Sequence, residues 1–292
     1  MRRPFLNAAA FFLLLVCVSA AHAQTAKDDL AARGQYIFSL AGGCACHTEP
    51  KGTPNAGGRV IPLPFGKLYS TNITPDKETG LGNWTDQQIR DAMIKGVRPN
   101  GERLLPAMPY EAYSGMADED LQALIAYLRT LKPVRKQMPR LKTWLPFYRG
   151  VGTFFWTRFV AKSYTSVPKA PAAGAERGRY LVEHVSLCID CHTPRNSMGI
   201  PQPSLYLAGA KKGPPLNVEV PNITPDKGTG IGDWSRDSIA DLIQTGTKPD
   251  LDNVQGLMAE VVEAGYKNMK REDAQAIADY LKTVPPINHK TN

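Results

Sequence analysis

The sequence predicts an all-α protein made of two tandem copies of one unit, joined by a basic, aromatic linker. Three observations carry that expectation: matched sequence blocks recur in the same order, the clearest apolar spacing is helical, and long Gly/Pro-rich stretches separate the helical segments. Arg33-Gly34-Gln35-Tyr36 precedes Cys44 at the same interval as Arg177-Gly178-Arg179-Tyr180 precedes Cys188. Asn72-Ile73-Thr74-Pro75-Asp76-Lys77 recurs at Asn222 to Lys227, and each copy is followed by Thr-Gly-x-Gly-x-Trp, ending at Trp84 and Trp234. Asp120 to Pro133 matches Asp273 to Pro286, including the pairs Tyr127-Leu128 and Tyr280-Leu281. The expected units are residues 24–131 and 175–287, with a linker at 132–174 and a tail at 288–292.

Within each unit the helices have local causes. Thr85 is an N-cap candidate and Gln88 completes a capping box, ahead of the apolar positions Ile89, Ala92 and Met93. Leu121, Leu124, Ile125 and Leu128 fall at helical spacing in a second helix expected over about Asp118 to Leu131. Its twin is expected from Glu272 to Val284, where Pro285-Pro286 stops it. Units of roughly a hundred residues with so few aliphatics between helices are poorly stabilised by their own side chains, so something apolar is expected to complete each core.

Composition narrows the class. The chain has 292 residues and is 42% hydrophobic, which excludes collagen, a coiled coil, a disordered chain and a polytopic membrane protein. Arg2 and Arg3, the apolar run Ala8 to Val18, and Ala21-His22-Ala23 form a secretory signal peptide over 1–23, too short in its apolar core to span a bilayer. Cys17 follows Val16 rather than a small residue, so it is read as discarded with the signal, and the mature chain starts at Gln24. The mature protein is expected to be exported and soluble or peripheral, with four cysteines.

Cys188-Ile189-Asp190-Cys191-His192 is a C-x-x-C-H sequence, the attachment signature of c-type haem. Two thiols one helical turn apart meet the two vinyl groups of a porphyrin, and the next residue sets an imidazole beneath the iron. A disulfide would close only a tiny loop, a zinc site would need cysteines gathered from both units, and a thioredoxin-like motif needs a βαβ context that is missing. The first unit departs from the rule: Cys44-Ala45-Cys46-His47 has one spacer residue. Cys46 and His47 are expected to hold a second haem, with Cys44 either attached under strain or free. Met108, in Pro106-Ala107-Met108-Pro109, and Met258, in Gly256-Leu257-Met258, are the candidate distal iron ligands, each read as sitting in a loop that presents its sulfur. Met116 and Met269 are their rivals, nearer the start of the last helix. His/Met ligation suits electron transfer.

With these residues in place, the chain resembles the di-haem class I cytochromes c, especially the cytochrome subunits of periplasmic alcohol and gluconate-type dehydrogenases. Cys188 to Arg195, both Asn-Ile-Thr-Pro blocks, Pro106 to Tyr110 and the Tyr-Leu helices carry the resemblance, over nearly the whole mature chain. It implies α-helical cytochrome c domains, two haem c groups, Met distal ligands, and as partners a dehydrogenase catalytic subunit and a downstream electron acceptor. The expected function is single-electron transfer from that dehydrogenase towards a respiratory acceptor. The competing class is a di-haem enzyme of peroxidase or thiosulfate-oxidising type with one open haem site.

Asn72, Thr74, Asn222, Thr224, Trp84 and Trp234 are candidate haem-edge residues, with plain turn and core chemistry as the equal alternative. His184 reads as a helix-surface residue, and His289 has no assigned role. The linker interleaves Trp144, Phe147, Tyr148, Phe154, Phe155, Trp156 and Phe159 with Arg135, Lys136, Arg140, Lys142, Arg149, Arg158 and Lys162. Residues 121–175 contain ten Lys and Arg and no acid, whereas the flanking 24–120 and 176–292 are each slightly acidic. In an exported haem protein such a strap points to inter-domain packing, a partner subunit or peripheral contact with a membrane, and not to nucleic acid.

Overall fold

The computed structural model describes residues 25, 27–63, 66–139, 142–143, 148–160, 164–197, 199–213 and 218–291. The expected signal peptide with Cys17, and Arg140, Trp144, Phe147 and Lys162 of the linker, lie outside the described residues.

Helix α1 (27–40) buries Ile37, Phe38 and Leu40 against α4 (Asp118–Leu128), whose Leu121, Leu124, Ile125 and Leu128 form the predicted apolar face. The crossing is close because Gly34 lacks a side chain: a Cβ there would lie 1.9 Å from the Ala123 carbonyl oxygen. The second half repeats this crossing with α5 (Gly174–Tyr180) and α9 (Arg271–Leu281), where a Cβ on Gly178 would lie 1.8 Å from the Ala276 carbonyl oxygen. Both last helices end three residues before the predicted bound. Thr130 and Thr283 lie past those ends, and their hydroxyls bond to the Tyr127 and Tyr280 carbonyls at 2.7 Å.

Between the crossing helices, α2 (Asp86–Lys95) starts at the predicted capping box: the Gln88 amide donates to Thr85 Oγ1 and the Thr85 amide to Gln88 Oε1. Its twin, α7 (Arg236–Thr245), is capped by Ser235, and left-handed glycines, Gly96 and Gly246, close the two helices. Single-turn α3 (Tyr110–Tyr113) and the longer α8 (Gly256–Ala264) precede the last helix of each half, and single-turn α6 (Cys188–His192) carries the second cysteine segment. The fold is mostly helical but not purely so. Val60–Leu63 (β1) pairs antiparallel with Gly66–Tyr69 (β2), which also pairs with Lys142–Thr143 (β3), and Ala210–Gly213 (β4) pairs with Val218–Val220 (β5).

The halves pack through an exchanged pair of contacts. Tyr36 of α1 donates its hydroxyl to Asp273 of α9 at 2.7 Å, and Tyr180 of α5 donates to Asp120 of α4 at 2.8 Å. Each aspartate also pairs with an arginine of its own half, Asp273 with Arg177 and Asp120 with Arg33. The main-chain amides of Lys270 and Ala117 donate to the same two tyrosine oxygens. Buried beside carboxylates, both tyrosine hydroxyls are held well above their ordinary pKa, by desolvation first. Asp273 is held below its usual range because the bonds from Arg177 and Tyr36 outweigh its desolvation. These contacts relate the halves by an approximate two-fold exchange.

Linker residues 132–139 belong structurally to the first half. Asn72 Nδ2 donates to the Val134 carbonyl at 2.7 Å, as Asn222 Nδ2 donates to Ile287 at 2.7 Å. Arg135 pairs with Glu78 and Lys136 with Glu49, so two of the strap's cations are already neutralised locally. Among the described residues no helix is long and apolar enough to cross a membrane.

Candidate functional site

The second cysteine motif is a single helical turn. Leu187 adopts a left-handed conformation (φ 55°) and turns the chain into α6, where Cys188 and Cys191, three residues apart, share a face. His192 follows directly, its Nδ1 2.8 Å from the Pro221 carbonyl oxygen. A carbonyl has no hydrogen to give, so Nδ1 carries the proton and Nε2 keeps its lone pair for a metal. Burial lowers the His192 pKa, more than the carbonyl bond raises it, and keeps the ring neutral as a ligand requires.

The first motif reaches the same imidazole arrangement by another backbone path. Gly42 (φ 63°), Gly43 (φ 62°) and Cys44 (φ 50°) are all left-handed, Gly43 matching Leu187 and Cys44 standing where Cys188 is helical. Glycine adopts this conformation freely, but a cysteine there is strained. His47 Nδ1 lies 2.8 Å from the Thr71 carbonyl oxygen, and its pKa is lowered by burial in the same way.

No disulfide joins the four described cysteines. Cys44 and Cys188 pack against the apolar core, and burial pushes each thiol up to about 12. Cys191 is raised further, by desolvation and then by Asp190. Cys46 is exposed at the mouth of its turn yet surrounded by protein mass; desolvation raises it, Arg59 opposes, and Asp190 and Glu260 add. Thiols so raised are poor thiolate nucleophiles, which sets them apart from redox cysteines. Asp190 acts electrostatically on Cys46, and Cys46 on Cys191, so the two turns lie near each other. Tyr113 and Tyr266, both buried, stand beside their own cysteines, and Tyr266 donates to the Ser186 carbonyl at 2.8 Å.

A c-type haem needs two unpaired sulfurs, a neutral imidazole with one nitrogen open and an apolar wall, and each half supplies these. Cys188, Cys191 and His192 would hold one group, and Cys46 and His47, with Cys44 beside them, the other. Met108 and Met258 both sit partly buried against the core, whereas Met116 and Met269 are 0% and 3% exposed and serve as core packing. Met108 lies in a loop as expected, but Met258 is the third residue of α8 rather than a loop residue. The second half has three more residues between this methionine and the matched tyrosine, enough to extend the single turn of α3 into α8.

The other expected residues divide. The amide hydrogens of Asn72 go to Thr79 Oγ1 and the Val134 carbonyl, while its Oδ1 accepts from the Thr74 amide and hydroxyl. Asn222 and Thr224 repeat the network with Thr229 and Ile287. These donors are thus engaged in the turn that pins the segment behind each half. Trp84 and Trp234 pack on the core, and their carbonyls accept from the twin cations Arg129 and Lys282. His184 is not a surface residue: its Nδ1 lies 2.9 Å from the Ala112 carbonyl of the other half, Gly115 packs on its ring, and Tyr164 stacks edge-on at 4.9 Å. His289 also has a role, closing the tail through Nδ1 at 3.0 Å from the Ala208 carbonyl and its amide on Thr229.

Comparison with known proteins agrees with this geometry. A cytochrome c family model matches residues 31–132. The chain is 40% identical over 258 residues to the fructose dehydrogenase cytochrome subunit of Gluconobacter japonicus, covering 87% of this chain and 52% of that protein. It is 36% identical over 302 residues to the alcohol dehydrogenase (quinone) cytochrome c subunit of Gluconobacter oxydans, covering 100% of this chain and 62% of that protein. It therefore spans about half to three-fifths of those dehydrogenase subunits. Against a diheme cytochrome c-type protein of Cereibacter sphaeroides it is 37% identical over 263 residues, covering 88% of this chain and 86% of the relative. With the cysteine turns, the carbonyl-bonded histidines and these relatives together, the chain belongs to the cytochrome c family.

Proposed function

We propose that this chain is a di-haem electron carrier: two tandem cytochrome c domains, exported to the periplasm, that accept electrons from a dehydrogenase catalytic subunit and pass them to a respiratory acceptor. The observation that carries the reading is the repeated histidine geometry, one imidazole in each half tied by Nδ1 to a backbone carbonyl at 2.8 Å with its cysteines beside it. The names of the relatives, cytochrome subunits of fructose and alcohol dehydrogenases, support the donor class.

Bound haem supplies a one-electron couple at iron, tuned by its axial ligands. The chain's own part is positional. Cys188, Cys191 and His192 would hold the group of the second half, and Cys46 and His47 that of the first. The carbonyls of Thr71 and Pro221 fix the tautomer and orientation of the two imidazoles, Met108 and Met258 would supply a second ligand to each group, and the apolar core would exclude water. The Tyr–Asp exchange holds the two attachment turns in a constant relation, which suits transfer without rearrangement.

The test is ligation. Oxidised protein is expected to show the weak Met-to-iron band for two haems, with Met108→Ala and Met258→Ala each removing half of it and Met116→Leu and Met269→Leu leaving it intact. A band corresponding to one haem would instead support an enzyme with an open site.

A further inference from the structure

The helical segment 148–160 has two unlike faces. On one, Thr153 is 4% exposed and the Trp156 indole donates to Glu111 of α3 at 2.5 Å. On the other, Val151, Phe154, Phe155 and Phe159 stand 57%, 59%, 55% and 68% exposed. Steps of three and four residues align them in a stripe, and the rings touch: Phe154 meets Phe155 edge-on at 5.8 Å, and Phe155 stacks on Phe159 at 5.7 Å. The Arg158 guanidinium lies 5.4 Å from the Phe159 centroid. Among the described residues, these are the only largely exposed phenylalanines.

Charge decides what such a stripe fits. It lies in the stretch 121–175, which has ten Lys and Arg and no acid, of which Arg129, Arg135 and Lys136 pair with acids of the first half, inside a chain whose flanks are slightly acidic. An apolar ridge with Arg158 beside Phe159, on a strap that carries no acid of its own, matches the headgroup–acyl boundary of an anionic bilayer. We propose that residues 148–160 form a membrane foot, with Val151, Phe154, Phe155 and Phe159 entering that boundary and Arg158 meeting lipid phosphates. The Trp156–Glu111 bond ties the foot to α3, which follows the Met108 loop in the chain, so docking brings that part of the first half to the bilayer. The inference deepens the electron-carrier reading and rests on it only for which membrane face is met.

The experiment uses the mature holoprotein with vesicles of phosphatidylcholine alone or containing phosphatidylglycerol, followed by co-sedimentation. Wild type is expected to sediment with the anionic vesicles and not with the neutral ones. The triple variant Phe154→Ser, Phe155→Ser, Phe159→Ser is expected to partition about tenfold or more weakly, with haem spectrum and melting temperature unchanged. The single change Phe159→Asp, at the most exposed ring, gives the same direction with little risk to folding. Wild type left in the supernatant, or a triple variant that sediments equally through charge alone, would overturn the proposal. So would a variant that still binds vesicles but no longer binds the dehydrogenase catalytic subunit, which would make the stripe a protein interface. Haem content and the Met-to-iron band, read on the same samples, report separately on the electron-carrier reading.

Discussion

The two cysteine turns differ by one residue, and the chain absorbs the difference in the backbone leading into the turn. In the second half a single left-handed position, Leu187, leads into a helical turn carrying Cys188 and Cys191. In the first half the shorter path takes three left-handed positions, Gly42, Gly43 and Cys44, two of them glycines that accept the conformation without cost. Both histidines still reach a backbone carbonyl at 2.8 Å. The imidazole anchoring is thus common to the halves, and the backbone differs between them in the approach to the cysteines.

The largest effects should come from the motifs themselves. Cys191→Ala or His192→Ala is expected to remove the second haem, halving haem absorbance per protein. In the first half, Cys46→Ala should do the same while Cys44→Ala leaves a haem attached. Equal loss from Cys44→Ala and Cys46→Ala would make the two turns equivalent despite the deletion.

Next come the helix crossings, where the halves should behave alike. Gly34→Ala and Gly178→Ala each place a methyl against a backbone carbonyl with no side chain able to move aside, and each is expected to cost about 3 kcal/mol in denaturant unfolding. A cost confined to one position would show that one crossing is looser. The exchanged tyrosines should matter less. Tyr36→Phe and Tyr180→Phe each delete a hydrogen bond to a carboxylate across the interface, expected to cost about 2 kcal/mol apiece.

The smallest effect breaks the symmetry, because the position in the first half that matches His184 is Leu40. Burial lowers the His184 pKa; the Ala112 carbonyl and Glu183, 3.8 Å away, raise it, and Arg179 lowers it. The unfolded chain therefore takes up a proton first, so stability is full above the ordinary histidine value of about 6.5 and falls as pH drops below it. Thermal melts of the holoprotein should show that decline, shallower in His184→Gln. Parallel curves for the two proteins would remove His184 from the interface account.

What the sequence made legible was local or repeated. The capping box at Thr85 and the C-x-x-C-H turn can each be recognised within a few residues, whereas the role of Gly34 and Gly178 in the helix crossings depends on Ala123 and Ala276, far along the chain. His184 could not be read this way, since its partners Ala112 and Gly115 lie about seventy positions away in the other half. The same holds for Tyr36 and Tyr180, whose repeated motif was visible but whose exchange between halves was not. The small strands escaped because β1 and β2 have four residues each, contain Pro62 and Gly66, and show no alternating apolar pattern. Asn72 and Asn222 pair with the chain returning after the last helix, a contact set by topology.

The central claim is one covalently held haem in each half, including the half with the shortened motif. Intact-mass measurement of the denatured mature protein tests it most directly. The account predicts two haem additions on a chain beginning at Gln24. A single addition would show that Cys44-Ala45-Cys46-His47 does not retain a haem covalently, and none would contradict the electron-carrier reading altogether.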